Sequence, residues 1–303
     1  MTVQREDVEP EDARARGAPA GPAPVVGAPD WRSDPGFRWP ERVPWSALGP
    51  DFIATWSPPT GNNREHLEIV GPSGSGKTHL LLTMLQDHYR SEEQFRAASD
   101  RKHLGTGAIL LVTKQDDDVF RKLGWPVVHN ADEIRDTNVV VWPRTKRTGT
   151  ARREFHEARV RPLLERLWQP KANTVLAFDE IGYVESLSGE TRALVQMYWR
   201  EARSMGIQVV GMKQRPQGAL RDMHSETFWT AVFRPKDRSD AERFAELLGH
   251  RRDWVPVLDA LDLDAHEFVI RHSRSDEAYI SWVDVPLSPQ KIRRRGEVGG
   301  YPR

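Results

Sequence analysis

Gly71-Pro72-Ser73-Gly74-Ser75-Gly76-Lys77-Thr78 follows the apolar run Leu67 to Val70 and opens a helical pattern that continues from Thr78 to about Tyr89. The octapeptide matches G-x-x-x-x-G-K-[ST] at every fixed position. Glycines allow successive backbone N–H groups to turn inward around phosphates, and the helix N-terminus that follows adds its positive end. Lys77 is spaced to reach the β and γ phosphates, and the Thr78 hydroxyl to ligate Mg²⁺. Gly71, Pro72, Ser73, Gly74, Ser75, Gly76, Lys77 and Thr78 are therefore the expected binding residues for a nucleoside triphosphate.

Outward from this loop the chain alternates between two kinds of pattern. Ala108 to Thr113, Val139 to Trp142, Thr174 to Phe178 and Ile207 to Met212 are apolar runs of strand length, and Phe228 to Phe233 reads as another strand. Helical patterns cover Arg152 to Trp168, Thr191 to Met205 and Ser239 to Leu248, with Pro162 expected to kink the first or mark its first turn. Phe268 to Ile270 and Ala278 to Val283 read as a closing hairpin. Fully apolar strands alternating with helices predict an α/β fold with a mainly parallel sheet flanked by helices on both faces.

Val175-Leu176-Ala177-Phe178 ends in the carboxylates Asp179 and Glu180. In a phosphate-loop fold such an aspartate holds Mg²⁺ and the next glutamate activates the attacking water. Asp179 joins Thr78 as an expected metal residue, and Glu180 is the expected catalytic base. A guanine-nucleotide reading also has motifs: Asp179 to Gly182 fits DxxG and Thr113 to Asp116 fits [NT]KxD. Their order along the chain is the reverse of the GTPase order, so both are set aside.

Downstream, Trp199-Arg200-Glu201-Ala202-Arg203-Ser204-Met205-Gly206 leads into Ile207 to Met212 and then Lys213-Gln214-Arg215-Pro216. A helix ending in an arginine-bearing turn, a buried strand and a Gln-Arg-Pro signature together resemble the HerA/FtsK superfamily of P-loop ATPases. The likeness spans roughly residues 66 to 286. It implies a RecA-like (ASCE-type) core that binds ATP with Mg²⁺. It also implies Gln214 as a sensor of the γ-phosphate or attacking water, and Arg203 as a finger reaching a neighbouring subunit's nucleotide, with Arg215 the alternative. Members form rings, usually hexamers, that move DNA, so a homo-oligomer acting on double-stranded DNA is the expectation the likeness carries. The family's N-terminal β-barrel and its winged-helix module are not read in this chain, which leaves a minimal motor core.

Around that core, residues 1–30 read as a Pro/Ala-rich tail and 31–65 as a Trp/Pro-rich irregular arm. Residues 66–286 form the expected ATPase core and 287–303 a basic flexible tail. Arg144, Lys146, Arg147, Arg152, Arg153, Arg159 and Arg161 form a basic stretch, read either as a DNA-backbone surface or as a solvated face. The 303 residues carry 44 basic and 44 acidic side chains and no cysteine, which removes disulfide scaffolds and thiolate chemistry. No apolar run reaches the ~18 residues of a membrane span, and a cytoplasmic protein is expected. Two rivals remain to the motor: a nucleotide-gated interaction switch using the aromatic arm, and a small-molecule kinase.

Overall fold

Six strands among the described residues have nearly every side chain buried, and that burial explains their largely apolar composition. The computed structural model describes residues 37–58, 64–98, 107–136, 138–170, 173–214, 221–275 and 277–290. In chain order the first elements are β1 (Glu41–Arg42), α1 (Trp45–Trp56), β2 (His66–Val70), α2 (Lys77–Ala98), β3 (Gly107–Leu111), β4 (Val127–Val128), β5 (Asn138–Val141) and α3 (Gly149–Leu167). After them come β6 (Thr174–Phe178), α4 (Ile181–Glu185), α5 (Gly189–Glu201), β7 (Ile207–Lys213) and α6 (Arg221–Glu226). The chain then forms β8 (Thr227–Phe233), α7 (Arg238–Leu248), α8 (Arg251–Asp259), β9 (Phe268–His272) and β10 (Ala278–Ser281).

All ten strands join one sheet in the order β1-β10-β9-β8-β2-β7-β6-β3-β5-β4. From β8 to β4 every pairing is parallel, whereas β9 runs antiparallel to both β8 and β10. The predicted mainly parallel sheet and the closing hairpin are therefore both present. Side-chain alternation assigns the faces. Leu67, Ile69, Val210 and Ala231 pack on one face with α1 and α2. Leu111, Phe178 and Val209 pack on the other with α3, α4 and α5, and Val70, Val232 and Val269 lie there under α7 and α8.

The described part of 31–65 is not an irregular arm. Pro44 stands at the N-cap of α1 in extended conformation, and Pro50 is the proline inside the helix, where it removes one main-chain hydrogen bond. Trp45, Leu48, Phe52, Ile53 and Trp56 fall on one helical face, and all are buried. Burying three large aromatics outweighs that one lost bond. The helix is also tied down by polar contacts: Trp45 Nε1 donates to Asp87 on α2 at 2.8 Å, and Ser46 N–H and Oγ donate to Asp284. The folded unit thus begins before residue 66.

It also continues past 286. Gln86 donates to the Ser288 carbonyl at 2.7 Å, Gln290 N–H donates to the Leu123 carbonyl at 2.9 Å, and Trp125 Nε1 donates to Gln290 Oε1 at 3.0 Å. Residues 287–290 are docked rather than flexible, because these side chains satisfy polar groups around α2. The tail at 1–30 and the basic residues Lys291, Arg293, Arg294 and Arg295 lie outside the described residues. Pro162 sits well inside α3, not at its first turn. The buried Val160, Leu163 and Leu164 hold the helix around it.

Candidate nucleotide site

The phosphate loop leaves the carboxyl end of β2, where Gly71 N–H donates to the Lys213 carbonyl at 3.3 Å. A Cβ at Gly71 would lie 2.6 Å from Phe233 Cβ, so no larger residue fits against β8. Gly74 and Gly76 adopt φ of +81° and +100°, the left-handed region in which only glycine is unstrained. Thr78 lies half-buried in the first turn of α2. Lys77 folds back so that Nζ donates to the Pro72 carbonyl at 2.7 Å. Burial pulls the Lys77 ammonium down to about 8, with Glu180 opposing and Lys114 and Lys236 adding to the effect. Beside the loop opens a cleft of about 610 Å³ lined by Ser73, Gly74, Arg234, Lys236 and His266, among others.

β7 lies between β2 and β6, so the carboxyl ends of three adjacent strands meet here. Asp179, just past β6, is 1% exposed, and its Oδ1 accepts from the Thr113 N–H and hydroxyl, both at 2.9 Å. Its Oδ2 has no hydrogen-bond partner among the described residues. Burial raises the Asp179 carboxyl above the usual range, with the Thr113 hydrogen bonds opposing. Glu180 is raised too, first by burial and then by the Asp179 charge, while a hydrogen bond from Gln214 and the Lys77 charge hold it back. Lys77, Asp179, Glu180 and Gln214 therefore converge.

No family model matches the chain, and no curated protein does. Among solved structures, the genome packaging NTPase B204 of Sulfolobus turreted icosahedral virus 2, in complex with sulfate, superposes with a TM-score of 0.51 at 15% identity. The superposition covers 75% of this chain and 98% of that one. B204 of Sulfolobus Turreted Icosahedral Virus, titled a DNA-packaging ATPase, gives the same TM-score, identity and coverage. The fold is that of the RecA-like P-loop NTPases. The likeness to HerA/FtsK-type ATPases read from the motifs thus holds at the level of fold.

Arg203 is not part of this constellation. It sits in the single 3₁₀ turn Ala202–Met205 that precedes β7, at the end of the sheet where the parallel strands begin. Its guanidinium lies 4.6 Å from the Phe228 ring, and Arg274 stacks on the same ring at 3.9 Å. A seven-residue strand separates that end from the phosphate loop by about 20 Å. Arg203 therefore lies out of reach of the phosphate loop of its own chain. Arg215 and Pro216 lie outside the described residues.

The basic stretch begins at the same end of the sheet as the phosphate loop, after β5, and runs along α3 past its middle. Several of its members already have partners: Arg144 pairs with Asp116 at 3.2 Å, Arg161 with Glu190 at 3.1 Å, and Arg153 donates to the Ser186 carbonyl. Arg159 stacks 3.5 Å from the Phe155 ring. Arg152 donates to the Thr113 carbonyl at 2.9 Å, one residue's breadth from Asp179. No helix is long and apolar enough to cross a membrane among the described residues.

Sequence reading missed Thr113 and Lys114. In the sequence Thr113 stands only as a strand end and both residues fall in the discounted [NT]KxD match, yet Thr113 holds Asp179 and the Lys114 charge bears on Asp179, Glu180 and Lys77. The signal was available: Leu111 pairs with Phe178 across β3 and β6, so the residues just beyond each strand must meet.

Proposed function

We propose that this chain is the ATPase subunit of an oligomeric motor that hydrolyses ATP and couples turnover to movement or packaging of double-stranded DNA. One observation carries the reading: Lys77, Asp179, Glu180 and Gln214 converge at the ends of β2, β6 and β7. Lys77 and the loop amides from Gly71 to Thr78 bind the phosphates. Glu180 takes the proton of the attacking water, its raised affinity for protons suiting a base whose conjugate acid must form. Gln214 reports the γ-phosphate, because its amide both donates and accepts.

The residues present fit a magnesium ion. The buried Asp179 Oδ2 lacks a partner among the described residues, which suits a cation-bound water, and Thr78 offers a hydroxyl from the first turn of α2. No group of three or more His, Asp or Glu forms a metal cage among the described residues, so the ion would rest on these two side chains and the phosphates. When bound, Mg²⁺ neutralises phosphate charge.

The place of Arg203 supports the oligomer. At the far end of the sheet from the phosphate loop, a finger arginine could reach only a neighbour's nucleotide, which favours a ring in which each site is completed by the next subunit, with six subunits the expected number. The packaging NTPases that share the fold support DNA as cargo, and the exposed members of the Arg144 to Arg161 stretch are the surface it would meet. The interaction-switch reading draws on the Trp-rich arm, and Trp45 and Trp56 of that arm are fully buried and so offer a partner no surface.

Phosphate release from ATP, measured with and without long double-stranded DNA at low salt against a Lys77→Ala blank, tests this reading. Stimulation by DNA that fades as salt rises is expected. Steady turnover indifferent to DNA would move the assignment to a protein-partnered ATPase. Phosphate transfer only when an acceptor is supplied would indicate a kinase.

A further inference from the structure

Glu68 lies in the middle of β2 with no exposed surface, an unusual place for a carboxylate. Three neighbours converge on it. Lys213 Nζ stands 2.9 Å from Oε2, while His224 Nδ1 approaches Oε1 at 2.9 Å and the Thr230 hydroxyl donates to Oε1 at 3.3 Å. These partners come from β7, α6 and β8. Burial alone would raise the Glu68 carboxyl, but Lys213 and His224 outweigh it and hold it at about 2. Glu68 is therefore an anion that binds three elements to the central strand.

Lys213 is held twice. Its side chain, 5% exposed, is clamped by Glu68, and its carbonyl accepts the N–H of Gly71, the first glycine of the phosphate loop. Residue 213 is also the last of β7, so the next residue is Gln214. The backbone of one residue thus links the entry of the phosphate loop to the γ-phosphate sensor. A buried ion pair is a poor device for stability alone, because apolar residues of similar volume serve as well or better. Its use here is positional.

We propose that Lys213, clamped by Glu68, is a positioning residue that fixes Gln214 relative to the phosphate loop. This inference rests on the ATPase reading above. Lys213 and Glu68 do not touch the nucleotide; they set where the Gln214 amide stands when the γ-phosphate arrives. Displacing a positioned group by about 1 Å is enough to cost on the order of 100-fold in rate.

The test is a Glu68→Met/Lys213→Met double variant, which removes both charges and keeps the volume. Glu68→Met alone strands a buried ammonium, so its Tm should fall, and the double variant should recover most of that loss. The affinity for a fluorescent ATP analogue should stay within about threefold of the parent, since the loop is intact, while kcat falls at least about tenfold. Adding Gln214→Ala should then cost little more, because both changes remove one function. Parental kcat in a double variant of parental Tm would reduce the pair to a structural role and overturn the proposal, as would a fully additive Gln214→Ala loss. Where the double variant does not fold, Glu68→Gln serves: kcat lowered at unchanged KM is expected, and parental kcat overturns it. If the wild-type chain releases no phosphate above the Lys77→Ala blank, the ATPase reading itself fails and the brace falls with it. Wild-type turnover beside an unimpaired double variant removes the brace alone.

Discussion

His66 enters β2 with its ring buried, and Nδ1 accepts the Val209 N–H at 3.0 Å, so the ring must be neutral to serve. Burial, with the Arg203 charge second, pulls it down to about 3. A folded value below the unfolded 6.5 means that the unfolded chain binds more protons in this window. The stability contributed by the neutral ring is present above pH 6.5 and drains away as pH falls toward 3. Glu185 runs the other way: burial pushes it up to about 7, so its contribution is present below 4.5 and lost as pH rises through 7. The two slopes oppose one another between 4.5 and 6.5, which is why a variant is needed to separate them. His66→Gln keeps an acceptor for Val209 and cannot charge, so its Tm should fall less steeply than the parent's as pH drops from about 6.5 to 4. Equal slopes in a melting series would show that His66 is not the acid-sensitive group. Among single residues, those at fixed sequence spacing were legible: the phosphate loop, Asp179 and Glu180. Glu68, Lys213 and Thr113 were not, because they meet through strand register across gaps of 66 to 145 residues, which no local pattern encodes.

Among elements, α1 shows how composition can hide a helix. Its five large buried side chains follow helical spacing, but prolines at 44 and 50 and the density of tryptophans suggest irregular chain. What decides the outcome is tertiary. The last carbonyl of the helix, at Trp56, receives Gln208 Nε2 at 2.7 Å, and the same amide also donates to the Glu65 carbonyl at 2.8 Å. A fully buried glutamine on β7 thereby caps a helix end that would otherwise leave an orphan acceptor in the core. Trp56 itself stacks on Phe52 at 5.6 Å, and Phe52 meets the Trp229 ring edge-on at 4.9 Å. Trp56→Ala should therefore destabilise the fold by about 3–5 kcal/mol, the range for emptying a large aromatic site. Chemical denaturation would measure it, and a loss below about 1 kcal/mol would mean that α1 is a detachable cover rather than core. The strands were easier to read than this helix: burial on both faces favours apolar residues, and buried polar ones such as Glu68 and Gln208 are the exceptions that need partners.

At the scale of the whole molecule, the strand order separates two functional ends. The nucleotide constellation gathers where the parallel strands finish, and Arg203 with Arg274 flanks Phe228 where they start. Strand order depends on which crossover goes to which side of β2, and nothing in a single sequence states that, so the opposition of the two ends became visible only in the fold. It makes a sharp demand on assembly. If Arg203 acts, it acts on another subunit, and the active unit is an interface. Arg203→Ala and Glu180→Gln chains should each release little phosphate alone, the second while retaining bound ATP. Mixed in equal amounts and allowed to assemble, they create some interfaces in which an intact Glu180 site faces an intact Arg203 donor. Random assembly makes these about a quarter of all interfaces, so phosphate release should recover toward that fraction of the parental rate. Recovery requires exchange of subunits, so it should vanish when the two proteins are cross-linked as separate oligomers before mixing. An Arg203→Ala chain with parental turnover would remove the finger role from Arg203. A mixture no more active than its parts would place the arginine's action within its own subunit, against the roughly 20 Å that the sheet sets between them.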